Sequence, residues 1–202
     1  MKKVWLRIAT VLCLSLIAPG AVYAGPALDR ILQRKELIVG ITGNQPPLNA
    51  TTKEGQIIGL DADLATYMAA AMGVKLSFSP MPFAELLPAL LTGKVDMVIS
   101  GMSISPDRNL KVAFVGPYFV SGKSIITKAE KADALSSPAD LASPEIKIVV
   151  LEGSTSQTRV KTVIPSAQLQ TTTDYDKALS LVIEGKVDAM VADFPFCALA
   201  VL

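Results

Sequence analysis

Histidine is absent from all 202 residues. That excludes Ser-His-Asp and Cys-His nucleophilic catalysis and takes away the nitrogen ligand on which the usual zinc sites depend. Cysteine occurs twice, as Cys13 and Cys197, and tryptophan once, as Trp5. Neither charge sign is in excess: 19 basic against 18 acidic residues leave a net charge of +1, so nothing points to nucleic acid or an acidic membrane surface. Apolar residues make up 50% of the chain, enough for the core of one large or two small domains.

Part of that apolar content belongs to the first 24 residues. Lys2, Lys3 and Arg7 precede an apolar stretch at 8–18, and Pro19-Gly20 breaks it before Val22-Tyr23-Ala24. This is the layout of a secretory signal peptide cleaved after Ala24, with an apolar stretch too short to span a membrane. No small residue immediately precedes Cys13, which argues against a lipid anchor. Cleavage would carry off three cations and lower the net charge from +1 to −2. It would also leave Cys197 as the only cysteine, so no disulfide can form within the mature chain.

What is present is an α/β pattern arranged around residues 95–111, V-D-M-V-I-S-G-M-S-I-S-P-D-R-N-L-K. Residues 95–99 read as a short buried strand. They run into Ser100-Gly101-Met102-Ser103, which offers hydroxyls and free N–H groups. Ser105-Pro106-Asp107 is a helix start, with serine as N-cap and proline at the first helical position. Arg108 then falls in the first turn, where the helix dipole disfavours a cation. A carboxylate ligand would explain an arginine there; a solvated surface position is the plain alternative.

Helices are also expected at 28–35, 60–72, 83–91 and 175–183, and strands at 37–41, 74–79, 146–151 and 187–192, while S-I-I-T-K at 124–128 is read as opening a second lobe. Asp61 and Asp63 in the first turn of the 60–72 helix are explained by the dipole. The 42–49 loop, with its two prolines, is read as irregular, and 53–56 as a turn between two short strands. S-S-P-A-D-L at 136–141 reads as another helix start. Gly153-Ser154-Thr155-Ser156 follows a strand and opens a helix, so its N–H groups form a second anion-binding corner, unless Ser154 or Thr155 is merely an N-cap. One near-repeat stands out: L-L-T-G-K-V-D at 90–96 and V-I-E-G-K-V-D at 182–188. The strand after the first copy ends at Ser100-Gly101 and the strand after the second at Asp193. Ligands in open α/β sheets bind beyond such carboxyl ends, which would set Arg108 and Ser103 opposite Asp193. An arginine with hydroxyls facing a carboxylate fits a zwitterion; a turn aspartate ahead of Pro195 is the alternative for Asp193.

The segment S-G-M-S-I-S-P-D-R resembles the carboxylate-binding segment of bacterial extracellular solute-binding proteins that supply polar amino acids to ABC transporters. G-L-D-A-D-L-A-T-Y-M-A at 59–69 is similar to the signature helix of that family, with Ala62 where a larger aliphatic residue is usual. The resemblance covers most of 37–202. It implies a two-lobe, type II periplasmic-binding-protein-like α/β fold: signal peptide 1–24, lobe 1 at 25–120, hinge crossing 121–124 and lobe 2 at 125–202. It implies that Ser100, Gly101, Ser103, Arg108, Thr155 and Asp193, with Ser156 in the same corner, line the subsite for the amino-acid backbone. Selectivity for the ligand's side chain would come from Phe83, unless it is simply a core residue, and from Gln45, which stands where many relatives carry an aromatic residue. The implied partners are an amino acid and an inner-membrane ABC permease, with a periplasmic location, no cofactor and no metal. An enzyme resembling cyclohexadienyl dehydratase is the alternative on the same fold, with Glu152 as its one candidate acid. The family's length further implies that this chain stops within lobe 2 and that a 25–202 fragment would be aggregation-prone.

Overall fold

The structure, a computed structural model, describes residues 25–135, 137 and 139–201. The segment read as a signal peptide lies outside them. The chain opens with α1 (Pro26–Arg34) and β1 (Glu36–Ile41), followed by a small antiparallel ribbon of β2 (Asn44–Gln45), β3 (Asn49–Thr51) and β4 (Ile57–Ile58). The 42–49 segment is therefore not wholly irregular. Its prolines occupy the turn at 46–47, so Asn44 and Gln45 are free to pair with Ala50 and Asn49. Next come α2 (Leu60–Met72), β5 (Lys75–Pro80), α3 (Phe83–Leu91), β6 (Met97–Val98) and α4 (Pro106–Asn109). β1 is the centre of a parallel sheet in the order β5-β1-β6. β6 is shorter than the expected 95–99 strand, yet Asp96 N donates to Ile38 O and Ile99 N to Gly40 O on either side of it, so the extended run is as read.

Beyond α4 the chain passes through 112–122 to the second sheet. Val115 and Val120 in that passage are 94% and 82% exposed. The second sheet contains β7 (Lys123–Thr127), β8 (Lys147–Leu151), β9 (Gln168–Thr172) and β10 (Ala189–Asp193), in the order β7-β10-β8-β9. Its helices are α5 (Thr155–Val163), α6 (Tyr175–Ile183) and α7 (Phe194–Ala200). The S-S-P-A-D-L start does not open an α-helix. Asp140 accepts from Ser137 N at 2.8 Å, as a capping interaction should, but only a 3-10 turn at Asp140–Ala142 follows before Ser143 becomes extended and Pro144 arrives.

The near-repeat does the same work in both sheets. Asp96 accepts from Ile38 N at 2.9 Å and pairs with Arg30 and Arg34. Asp188 accepts from Lys147 N at 2.9 Å and pairs with Lys131. Each aspartate fastens the start of its strand to the neighbouring strand and to a cation from an earlier segment. Each sheet has its own core: Leu37, Val39 and Ala65 in the first, Ile148, Val150 and Val160 in the second. A third cluster joins them, with Phe83, Leu86 and Val95 from the first side meeting Leu151, Tyr175 and Met190 from the second. The two lobes are in direct contact.

Candidate functional site

Strand ends from both sheets converge where the lobes meet. On the first side, Gly101 has φ +55°, and a Cβ there would lie 2.8 Å from Leu48 Cδ1, so a side chain would be strained and would have to push Leu48 and Gln45 aside. Ser105 caps α4 as expected, accepting from Arg108 N at 3.4 Å. The helix runs only from Pro106 to Asn109, so the expected dipole penalty on Arg108 has no full helix to act through. Arg108 is 8% exposed. Its Nη1 donates to Ser103 O at 2.6 Å and its Nη2 to Gly153 O at 2.9 Å. Its guanidinium carbon lies 5.6 Å from the centroid of the Phe83 ring. Two of the five guanidinium N–H groups are thus used by carbonyls, one from each lobe, and the rest remain for a ligand. Burial lowers the Arg108 pKa, and the charge of Asp193 acts the other way.

On the second side, Ser154 caps α5 by accepting from Gln157 N at 3.2 Å. That settles the N-cap alternative for Ser154 and leaves the Thr155 hydroxyl to donate to Ser103 Oγ at 3.2 Å, across the lobes. Ser156 is 1% exposed, and its Oγ has no hydrogen-bond partner. Gly153 packs so closely that a Cβ on it would lie 3.2 Å from Ala84 Cα. Asp193, half-buried at the end of β10, accepts from Lys123 Nζ at 2.7 Å. Lys123 was not singled out in the sequence; its antiparallel pairing with Asp193 shows only once β7 and β10 are aligned.

Ser100, Gly101, Ser103, Arg108, Thr155, Ser156 and Asp193 therefore collect at one junction. Gln45 is also buried there: a Cβ on Gly101 would lie 2.9 Å from its Nε2. Phe83 is buried beneath Arg108 and in the shared core. Ser100 has a supporting part to play. It accepts from Thr42 N at 3.0 Å and donates to Thr42 Oγ1, which donates to Asn49 Oδ1 at 2.8 Å. Asn49 Nδ2 donates to Asp61 at 2.7 Å, and the Tyr118 hydroxyl donates to the other carboxylate oxygen at 2.7 Å. Gly101 N, donating to Tyr118 Oη at 3.1 Å, closes the ring. Asp61 is thus the buried hub that holds the Ser100-Gly101 corner, a role beyond the dipole explanation. Helical position alone could not show it, because its partners are 12 and 57 residues away. A cavity of about 930 Å3 extends from this corner past Met97, Ile104 and Tyr118 to Asp193.

Among the described residues, no cluster of histidine, cysteine, aspartate or glutamate could hold a metal ion. Burial pushes the Cys197 thiol up to about 11, which disfavours the thiolate form a nucleophile needs. No helix of the described residues is long and apolar enough to cross a membrane.

The family model of the bacterial extracellular solute-binding proteins, family 3, matches residues 37–194. The chain belongs to that family. Its fold is the two-lobe, type II fold of periplasmic binding proteins, shared with the crystal structure of an ancestral amino-acid-binding protein, AncCDT-1, described as a precursor of cyclohexadienyl dehydratase. That match has a TM-score of 0.84 at 40% identity and covers 86% of this chain and 77% of the other. Cyclohexadienyl dehydratase of Pseudomonas aeruginosa is 29% identical over 90% of this chain and 68% of its own length. A probable histidine-binding protein of Campylobacter jejuni is 32% identical over 78% of this chain and 59% of its own. Further relatives bear the names of glutamate-, arginine- and cystine-binding proteins. The chain thus spans 59–68% of the length of the curated relatives compared above. Most of the matched family members are binding proteins, and a substrate-binding role with an amino-acid ligand is what membership supports.

Proposed function

We propose that this protein captures a free amino acid between its lobes in the periplasm and delivers it to an ABC permease. The observation that carries the reading is Arg108: a buried guanidinium with donors to spare, braced by carbonyls of both lobes and within electrostatic reach of Asp193. The ligand's carboxylate takes the remaining Arg108 donors, the Ser103 and Thr155 hydroxyls and the N-terminus of α5. Its ammonium displaces Lys123 from Asp193. Because these contacts come from both lobes, the ligand favours the closed form over the open one, with 121–124 as the hinge between lobe 1 at 25–120 and lobe 2 at 125–202.

Replacing Asp193 with asparagine tests the ammonium half of the site. The variant keeps the carboxylate donors and loses the counter-charge, so affinity for an amino acid should fall about ten- to a hundredfold. Affinity for the corresponding deaminated acid should change by less than about threefold. Calorimetry on both ligands measures the ratio. A variant that still prefers the amino acid as strongly as the wild type does would remove Asp193 from the site.

Kinship with the dehydratase favours a second reading, elimination of water from prephenate or arogenate. It requires a proton donor enclosed beside the leaving hydroxyl. Glu152, the candidate from the sequence, is exposed. Turnover of either compound by the purified protein would replace the binding reading with the enzymatic one.

A further inference from the structure

Lys123 and Asp193 oppose each other across the antiparallel pair β7–β10, Lys123 at the first position of one strand and Asp193 at the last of the other. Directly opposed residues share a face of the sheet, so the register itself sets the ammonium beside the carboxylate. Lys123 Nζ donates to Asp193 Oδ1 at 2.7 Å, with 26% and 21% of the two side chains exposed. Asp193 also precedes α7, yet its side chain caps nothing there. It lines the cleft cavity that opens from Ser100, Gly101 and Ser103. Lys123 lines a different space, a cavity of about 820 Å3 in the second lobe walled by Ile125, Leu135, Val160 and Ile164. Lys123 therefore reaches the ligand corner from behind: it borders one cavity and lays its charge on a carboxylate of the other.

We propose that Lys123 stands in for the ligand's ammonium, so that the cleft takes carboxylic acids without an α-amine alongside amino acids and distinguishes the two only weakly. The inference rests on the amino-acid-binding reading above and widens the ligand class within it. The charges at the corner show why. With a bare Asp193, an acid lacking an amine would close the cleft over an unpaired carboxylate, at the desolvation cost of a buried charge. With Lys123 in place that acid completes two pairs, its own carboxylate on Arg108 and Asp193 on Lys123. An amino acid also pairs at both ends, but its ammonium takes Asp193, and Lys123 has to give way. A lysine suits this part, being a point charge on a flexible stem, and the second-lobe cavity it lines gives the displaced ammonium room to turn. The pair that Lys123 loses offsets the pair that the ligand gains, which flattens the preference for an amine. Lys123 is thus a positioning residue that acts on the ligand through Asp193.

The probes are the twenty amino acids and, for each that binds, the same acid with hydrogen in place of its α-amine. In calorimetric titration the wild-type protein should prefer the amino acid by less than about tenfold. Lys123→Met keeps an unbranched stem and removes the charge. Its amino-acid affinity should rise, its affinity for the amine-free acid should fall, and the ratio should widen by about tenfold or more. Lys123→Arg, which restores the charge, should return the ratio to within about threefold of the wild-type value. A cross-strand pair that served only to hold β7 on β10 would change both affinities together and leave the ratio where it was. An unmoved ratio in Lys123→Met, or a wild-type preference above about tenfold, would overturn the proposal and leave the amino-acid reading standing. Absence of binding by every amino acid would overturn that reading and the proposal with it.

Discussion

Arg108→Lys should bind its amino acid almost as poorly as Arg108→Ala. Lysine keeps the positive charge, so a site that needed only charge would tolerate the change. Arg108 works through geometry: one face of its fork is held by Ser103 O at 2.6 Å and Gly153 O at 2.9 Å, and the planar group rests over Phe83. An ammonium group cannot bridge two carbonyls of different lobes and still present paired donors to a carboxylate. Each charge-assisted hydrogen bond lost is worth about 1.5–3 kcal/mol, or roughly ten- to a hundredfold in affinity. Losing the bridge to Gly153 adds a penalty on closure. Dissociation constants for the two variants provide the check; wild-type affinity in the lysine variant would mean that Arg108 does not hold the ligand.

The second large effect belongs to a residue that need not touch the ligand. Asp61→Ala would leave the Asn49 amide and the Tyr118 hydroxyl without their buried acceptor, and with them the ring that fixes Gly101. Leaving two buried donors without their acceptor costs about 1–3 kcal/mol each, a large fraction of a domain's net stability. Chemical denaturation should show that loss, and ligand affinity should fall with it. Asp61→Asn is gentler and reports on pH. Burial raises the Asp61 pKa, while the hydrogen bonds from Tyr118, Asn49 and Gly101 pull it down less strongly. A folded-state pKa above the unfolded one means that the folded protein holds the proton more tightly. The stabilising contribution is therefore complete below the ordinary carboxylate range, about pH 4, and is lost as pH rises through the folded value. The stability deficit of Asp61→Asn relative to the wild type should be widest in acid and narrow through that window. A deficit that widens with rising pH would contradict the assignment.

These two residues also show what could be read from the sequence. Arg108 declared itself through local signals, a strand, a small-residue corner and the Ser105 cap, and local signals survive folding because neighbours in sequence supply them. The same holds for α2, α3 and α6, and for the paired Lys-Val-Asp motifs, whose aspartates turned out to anchor their strands in the same way. Asp61 looked like an ordinary first-turn acid because its defining partners lie at Asn49 and Tyr118. Tyr175 looked like the opening residue of an amphipathic helix, and only the packing of the lobes brings it to Gln45, 130 residues away in sequence. The polar edge strand β9 lacks the apolar alternation by which strands are recognised, and α7 hid in an apolar run that carries no polar face.

Calorimetric titration of the protein with each of the twenty amino acids tests the central claim most directly. The account predicts saturable one-to-one binding of at least one of them, abolished by Arg108→Ala. No binding by any amino acid, or undiminished binding in Arg108→Ala, would contradict it.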